Sequence, residues 1–67
     1  MSNLKKYRLK AGYSQLQLAN VSGISLNTIQ SYEQGKREIN KAQGEVLHSL
    51  SQALNCTIED IMEQKEI

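Results

Sequence analysis

The chain has 67 residues, 39% of them hydrophobic, with no Trp, no Phe and a single cysteine. A core that small rarely supplies more than about 3 to 5 kcal/mol alone, so help from disulfides, a metal or a partner chain is expected. Cys56 by itself excludes an internal disulfide framework, and the absence of a run of about 18 apolar residues excludes a membrane helix, which leads us to expect a reducing, cytoplasmic setting.

Residues 1–67 are expected to form one domain, with no proline-rich or low-complexity linker. The first helix is expected over Asn3 to Ala11, with Leu4, Tyr7, Arg8 and Ala11 on one face. Ser14 caps a second helix, with Gln17 placed three residues on to complete a capping box, and Leu18 and Ala19 are expected inward, with Leu16 left open. After Gly23 and Ile24, Ser25 caps a third helix from Leu26 to about Gln34. Its inward stripe is Ile29, Tyr32 and Glu33, which leaves Leu26, Asn27, Gln30, Ser31 and Gln34 outside. Asn40, with Gln43 as box partner, is expected to open a fourth helix running to Leu54, with a kink or close contact at Gly44. Thr57 caps a last helix bearing Ile58, Ile61 and Met62, and Gln64 to Ile67 are expected to fray. Gly12, Gly23 and Gly35 each end a helical stretch, where a left-handed residue favours glycine. No strand pattern interrupts these five helices, so the fold class is all-α.

The net charge of +1 conceals a division. Residues 1–41 carry seven basic groups and two acidic ones, whereas residues 42–67 carry one basic group and five acidic ones. A basic end that can meet phosphate and an acidic end that points away would give such a pattern, as would two plain solvated faces.

The informative stretch is about residues 15–34, where two short helices are joined by Ser22, Gly23 and Ile24. That connection is too short for antiparallel packing, so the helices must cross steeply. A small residue (Ala19), a bend residue tolerant of positive φ (Gly23) and apolar anchors (Leu18, Ile24, Ile29) suit that crossing. This is the helix-turn-helix pattern, in which the second helix stands proud and can enter a major groove.

With these residues in view, the chain resembles the Cro and phage-repressor type of helix-turn-helix regulator, the XRE family, over about Leu4 to Met62. The matching pieces are Leu4, Tyr7 and Arg8; Gly12-Tyr13-Ser14-Gln15; Leu18-Ala19; Gly23-Ile24-Ser25; Thr28-Ile29; Tyr32-Glu33 with Gly35-Lys36-Arg37; and Ala53-Leu54 followed by Thr57 to Ile61. The resemblance implies a five-helix, lambda-repressor-like DNA-binding domain. It also implies that Gln15 grips a phosphate, which suits the anion-binding start of a helix, and that bases are read by Leu26, Asn27, Gln30 and Ser31. Asn and Gln can pair bidentately with adenine, Ser can bond several bases, and Leu26 can pack on a thymine methyl. Ser25, Thr28, Lys36 and Arg37 are expected on phosphates, where they position the protein without specifying sequence. Arg8 and Glu33 are implied to form a structural salt bridge. Ser22, Leu16, Val21 and the stretch Glu38 to Lys41 depart from the family pattern, so Leu16 and Ile39 are open between satellite core and contact surface.

Other chemistry has little material. His48 and Cys56 are the only soft metal ligands, whereas a structural zinc site takes about four, so no metal or cofactor is expected. Cys56 is expected as a small buried hydrophobe, and His48 on a helix surface or in a subunit contact. The only Asp is Asp60, and neither a phosphate loop nor a nucleophile elbow is present, so no enzyme is expected. The function expected is a sequence-specific transcriptional repressor in bacterial or phage-infected cytoplasm. It would bind a pseudo-palindromic duplex as a homodimer, using part of the apolar C-terminal surface. The alternative is an antitoxin-like protein-interaction module on the same fold, with DNA binding secondary.

Overall fold

A computed structural model describes residues 2–63. Five α-helices follow one another: α1 (Asn3–Lys10), α2 (Gln15–Ser22), α3 (Leu26–Glu33), α4 (Gly44–Leu54) and α5 (Ile58–Ile61), with a 3-10 turn at Ile39–Lys41 between α3 and α4. The described residues contain no strand, in agreement with the all-α pattern. The fraying expected of Gln64 to Ile67 lies outside them.

Local chemistry explains most helix ends. Ser2, Ser14, Ser25 and Thr57 each accept a backbone N–H of the first turn, one of the donors that a helix start leaves unpaired. Around Ser14 the box is complete, since Gln17 N donates to Ser14 Oγ at 3.1 Å and Ser14 N to Gln17 Oε1 at 2.8 Å. Gly23 ends α2 with φ of 75°, a left-handed conformation that costs a residue with a Cβ, and its N–H donates to the Ala19 carbonyl. Ser22 has a use at that bend: its Oγ accepts the Ile24 N–H at 3.1 Å.

The fourth helix corrects the sequence pattern. It begins at Gly44 and not at Asn40, and Gln43 at its N-cap makes no side-chain cap bond. Asn40 lies in the 3-10 turn and holds a remote segment instead: its Nδ2 donates to the Glu63 carbonyl at 2.6 Å, and its Oδ1 accepts the Glu63 N–H at 2.9 Å. Gly44 is therefore a first-turn residue with neither kink nor close contact, since a Cβ there would meet nothing within 4 Å. Ala11, expected inward, is exposed, and Leu16, which the sequence left open, is 57% accessible. A helix shorter than three turns buries a narrow stripe, and in α2 that stripe is Leu18 with Ala19 beside it.

One core joins all the elements. Leu4, Leu18, Ile29, Leu50 and Ile61 are almost fully buried, with Tyr32, Ile39, Leu47 and Leu54 around them. Ile39 is thus core. Cys56 is half-buried against this cluster, and burial, followed by the nearby Asp60 carboxylate, pushes its thiol pKa up. His48 is exposed. α5 is tied down by its own box, with Asp60 N donating to Thr57 Oγ1 and Thr57 N to Asp60 Oδ2.

That box makes α5 sensitive to acid. Asp60 is held below the usual carboxylate range, first by the Thr57 N–H and then by the Thr57 side chain. A lowered folded pKa adds stability that is complete above the ordinary carboxylate pKa and disappears as pH falls through it toward the folded value. Asp60→Asn should therefore melt below wild type at neutral pH, and the gap in thermal midpoint should close in strong acid. A gap independent of pH would show that the ionised form contributes nothing.

Candidate nucleic-acid interface

The geometry of the candidate interface begins with α3. Ile29 and Tyr32 are buried on its inner side, which turns the opposite side of the helix away from the core. On that outer side Asn27 is exposed and Leu26, Gln30 and Ser31 are half-exposed. The four residues span the first one and a half turns, so their side chains share one edge. At the start of α3, Ser25 Oγ accepts the Thr28 N–H at 3.2 Å and lies 2.8 Å from Thr28 Oγ1, which joins the two hydroxyls into one polar pair.

The loop after α3 is fastened to its last turn. The Ser31 carbonyl accepts both the Lys36 N–H at 2.9 Å and the Arg37 N–H at 3.2 Å, and Gly35 turns the chain with φ of 77°. Lys36 and Arg37 therefore project from a fixed backbone, and both are exposed. The Arg37 guanidinium lies over the Tyr32 ring, 5.7 Å from its centroid, which orients it without neutralising it. Lys41 was not among the expected phosphate ligands, yet it lines the same open groove as Thr28 and Arg37. Its signal in the sequence was the third basic residue in six positions; in the structure its Nζ lies 3.3 Å from Glu38 Oε2 in an exposed ion pair.

Beneath this surface lies a buried polar cluster. Arg8 and Glu33 pair through two bonds, Nε to Oε2 at 2.7 Å and Nη2 to Oε1 at 3.0 Å, with side chains only 8% and 3% accessible. Arg8 Nη1 also donates to the Tyr13 carbonyl at 2.8 Å, so α1, the α1–α2 turn and the end of α3 are tied to one guanidinium. Gln15, the first residue of α2, donates from Nε2 to Glu33 Oε1 at 3.0 Å and accepts at Oε1 from Gln30 Nε2 at 3.2 Å. The structure therefore brings together Arg8, Gln15, Gln30 and Glu33 at the C-terminal part of α3, while Lys36 and Arg37 lie in the loop that follows and make no side-chain hydrogen bond to them. The bonding of Gln15 to two α3 residues had no signal in the sequence, because its partners lie 15 and 18 positions away.

Among the described residues no three His, Cys, Asp or Glu side chains cluster in a way that could hold a metal ion, and no helix is long and apolar enough to cross a membrane.

A helix-turn-helix family model matches residues 4–61. No curated protein and no solved structure matches the chain. The family is one of DNA-binding regulatory domains and not of enzymes. The matched span runs from the second residue of α1 to the last of α5, and so takes in the α2–α3 pair and the core beneath it. This chain accordingly belongs to the helix-turn-helix family of the Cro and repressor (XRE) type and is a DNA-binding regulator.

Proposed function

We propose that the protein is a sequence-specific transcriptional repressor that inserts the outer edge of α3 into the major groove of double-stranded DNA. The observation that carries this reading is the row Leu26, Asn27, Gln30 and Ser31, exposed at Asn27 and half-exposed at the other three, opposite a buried inner face and flanked by groups suited to phosphate. In this arrangement Asn27, Gln30, Ser31 and Leu26 meet base edges. Gln15, Ser25, Thr28, Lys36 and Arg37 bond the two backbones on either side. Arg8 and Glu33 act beneath them as structure. A single reading helix covers few base pairs, so the protein works as a homodimer on a pseudo-palindrome, with half-sites about 34 to 36 Å apart. The setting is bacterial cytoplasm, at the nucleoid or in a phage-infected host.

Selection from a random duplex pool tests this directly, and failure to enrich any sequence would overturn it. On the enriched site, Asn27→Ala should weaken binding by about 1 to 3 kcal/mol and relax preference at one base pair. Lys36→Ala should weaken all sequences alike and lower the salt slope by about one. Equal loss on every sequence for Asn27→Ala would remove it from the reading set.

A second reading, an antitoxin-like module that grips a protein, draws support from the exposed apolar side chains Leu9, Leu16 and Val21. The two readings differ in salt response. Counterion release makes DNA binding fall steeply with salt, whereas an apolar protein contact does not.

A further inference from the structure

Ten residues, 34–43, join α3 to α4, more than the roughly two to eight that helix pairs ordinarily use, and charges on so long a connection keep a fixed place only if it is fastened. Near α3 it is fastened by the Ser31 carbonyl, which takes the Lys36 and Arg37 N–H groups. Near α4 the burial of Ile39 sets how deeply the 3-10 turn sits, but one buried side chain leaves the turn able to roll about it. Asn40 removes that freedom. Its amide closes a ring with the Glu63 peptide, donating to the carbonyl at 2.6 Å and accepting the N–H at 2.9 Å. Glu63 is a firm anchor because α1 holds it from the other side, with Asn3 N donating to Glu63 Oε1 at 2.8 Å and Asn3 Nδ2 to the Met62 carbonyl at 2.7 Å.

The residue after Asn40 is Lys41, which shares the open groove with Thr28 and Arg37. The turn is bonded to itself, Lys41 N to the Glu38 carbonyl and Ala42 N to the Ile39 carbonyl, both at 3.0 Å, so any roll of the turn carries Lys41 with it. Its ion pair with Glu38 is exposed on both sides, and a pair of that kind is weak enough for a phosphate to take the place of the carboxylate. We infer that Lys41 is a further contact to the DNA backbone and that Asn40, bound to the Glu63 peptide, is the positioning residue that holds it over the phosphate path. The inference rests on the major-groove reading of α3.

The test is the dependence of log K on log salt concentration, measured by fluorescence anisotropy on the duplex enriched by selection and on an unrelated duplex. Each neutralised phosphate contributes about 0.9 to that slope. Lys41→Gln, Asn40→Ala and Glu63→Pro should each make the slope shallower by about one on both duplexes and leave the preference among single-base-pair variants as in wild type. Glu63→Pro deletes the N–H that Asn40 accepts, and Met62, at ψ of 150°, already has the backbone that suits a residue before proline. Glu63→Ala loses the same carboxylate but keeps the N–H, and should keep the wild-type slope. Asn40→Ala combined with Lys41→Gln should fall no further than either alone, whereas Asn40→Ala and Lys36→Ala should add, since Lys36 is fastened at Ser31. A purely structural role for Asn40 would lower every affinity by the fraction folded, which circular dichroism reads, and leave the slope unchanged; that result overturns the inference. A wild-type slope for Lys41→Gln overturns it as well, and does so alone if Asn27→Ala still relaxes base preference. Should Asn40→Ala not fold, the comparison of Glu63→Pro with Glu63→Ala decides. A wild type that enriches no sequence overturns the major-groove reading, and the inference with it.

Discussion

Glu33→Ala is expected to lower the free energy of unfolding by about 3 to 5 kcal/mol, which is comparable with the whole stability that a core of this size supplies. The reason is what the substitution leaves behind. The Arg8 guanidinium stays in a site where it is 8% accessible, still bonded to the Tyr13 carbonyl but stripped of both carboxylate bonds. Gln15 loses an acceptor at the same time. Urea denaturation followed by circular dichroism should find the variant largely unfolded at 25 °C. Replacing both partners, Arg8→Met with Glu33→Leu, strands no charge and should recover most of the loss. A single-variant loss below about 1 kcal/mol would mean that the pair behaves as an exposed one.

Leu18→Ala should cost about 2 to 5 kcal/mol, the range for a buried leucine whose cavity the surroundings cannot close. Leu18 is the one buried residue of α2 and is fully enclosed. Docking of the helix that presents α3 thus depends on a single large side chain. Leu16→Ala, two positions earlier on the same helix, should stay within about 0.5 kcal/mol, because that leucine is mostly in water already. The contrast between the two variants in the same denaturation experiment checks the orientation of α2. Equal losses would mean that Leu16 is buried in solution, in a contact between copies or in a different packing of α2.

What the sequence revealed depended on range. Ser14, Ser25 and Thr57 bond amides three positions away, so their function is written in neighbouring letters, and the helices they start were legible. The same logic failed at Asn40. Asn40 and Gln43 have the spacing of a box, but the amide of Asn40 found the backbone of Glu63, 23 residues away, and no short window contains that competitor. Ile39 and Leu16 were both open in the sequence, and Ile39 is core while Leu16 is exposed because tertiary placement, and not periodicity, decides the edges of a narrow apolar stripe. At the candidate interface, the residues of α3 that face outward were legible from its inward stripe. The link from Glu33 through Gln15 to Gln30 was not, since it needs the α2–α3 crossing in three dimensions.

The bonds at Glu63 bear on how the molecule opens. Asn3 donates from its backbone N–H to Glu63 Oε1 at 2.8 Å and from Nδ2 to the Met62 carbonyl at 2.7 Å, while Asn40 holds the Glu63 backbone from the other side. Chain ends ordinarily loosen independently, each at little cost. Here the first turn of α1 and the pair Met62 and Glu63 share their hydrogen bonds, so peeling one releases the other. The two edges of the domain are therefore expected to unravel in one cooperative step, and native-state exchange should find the Asn3 amide protected together with that of Glu63.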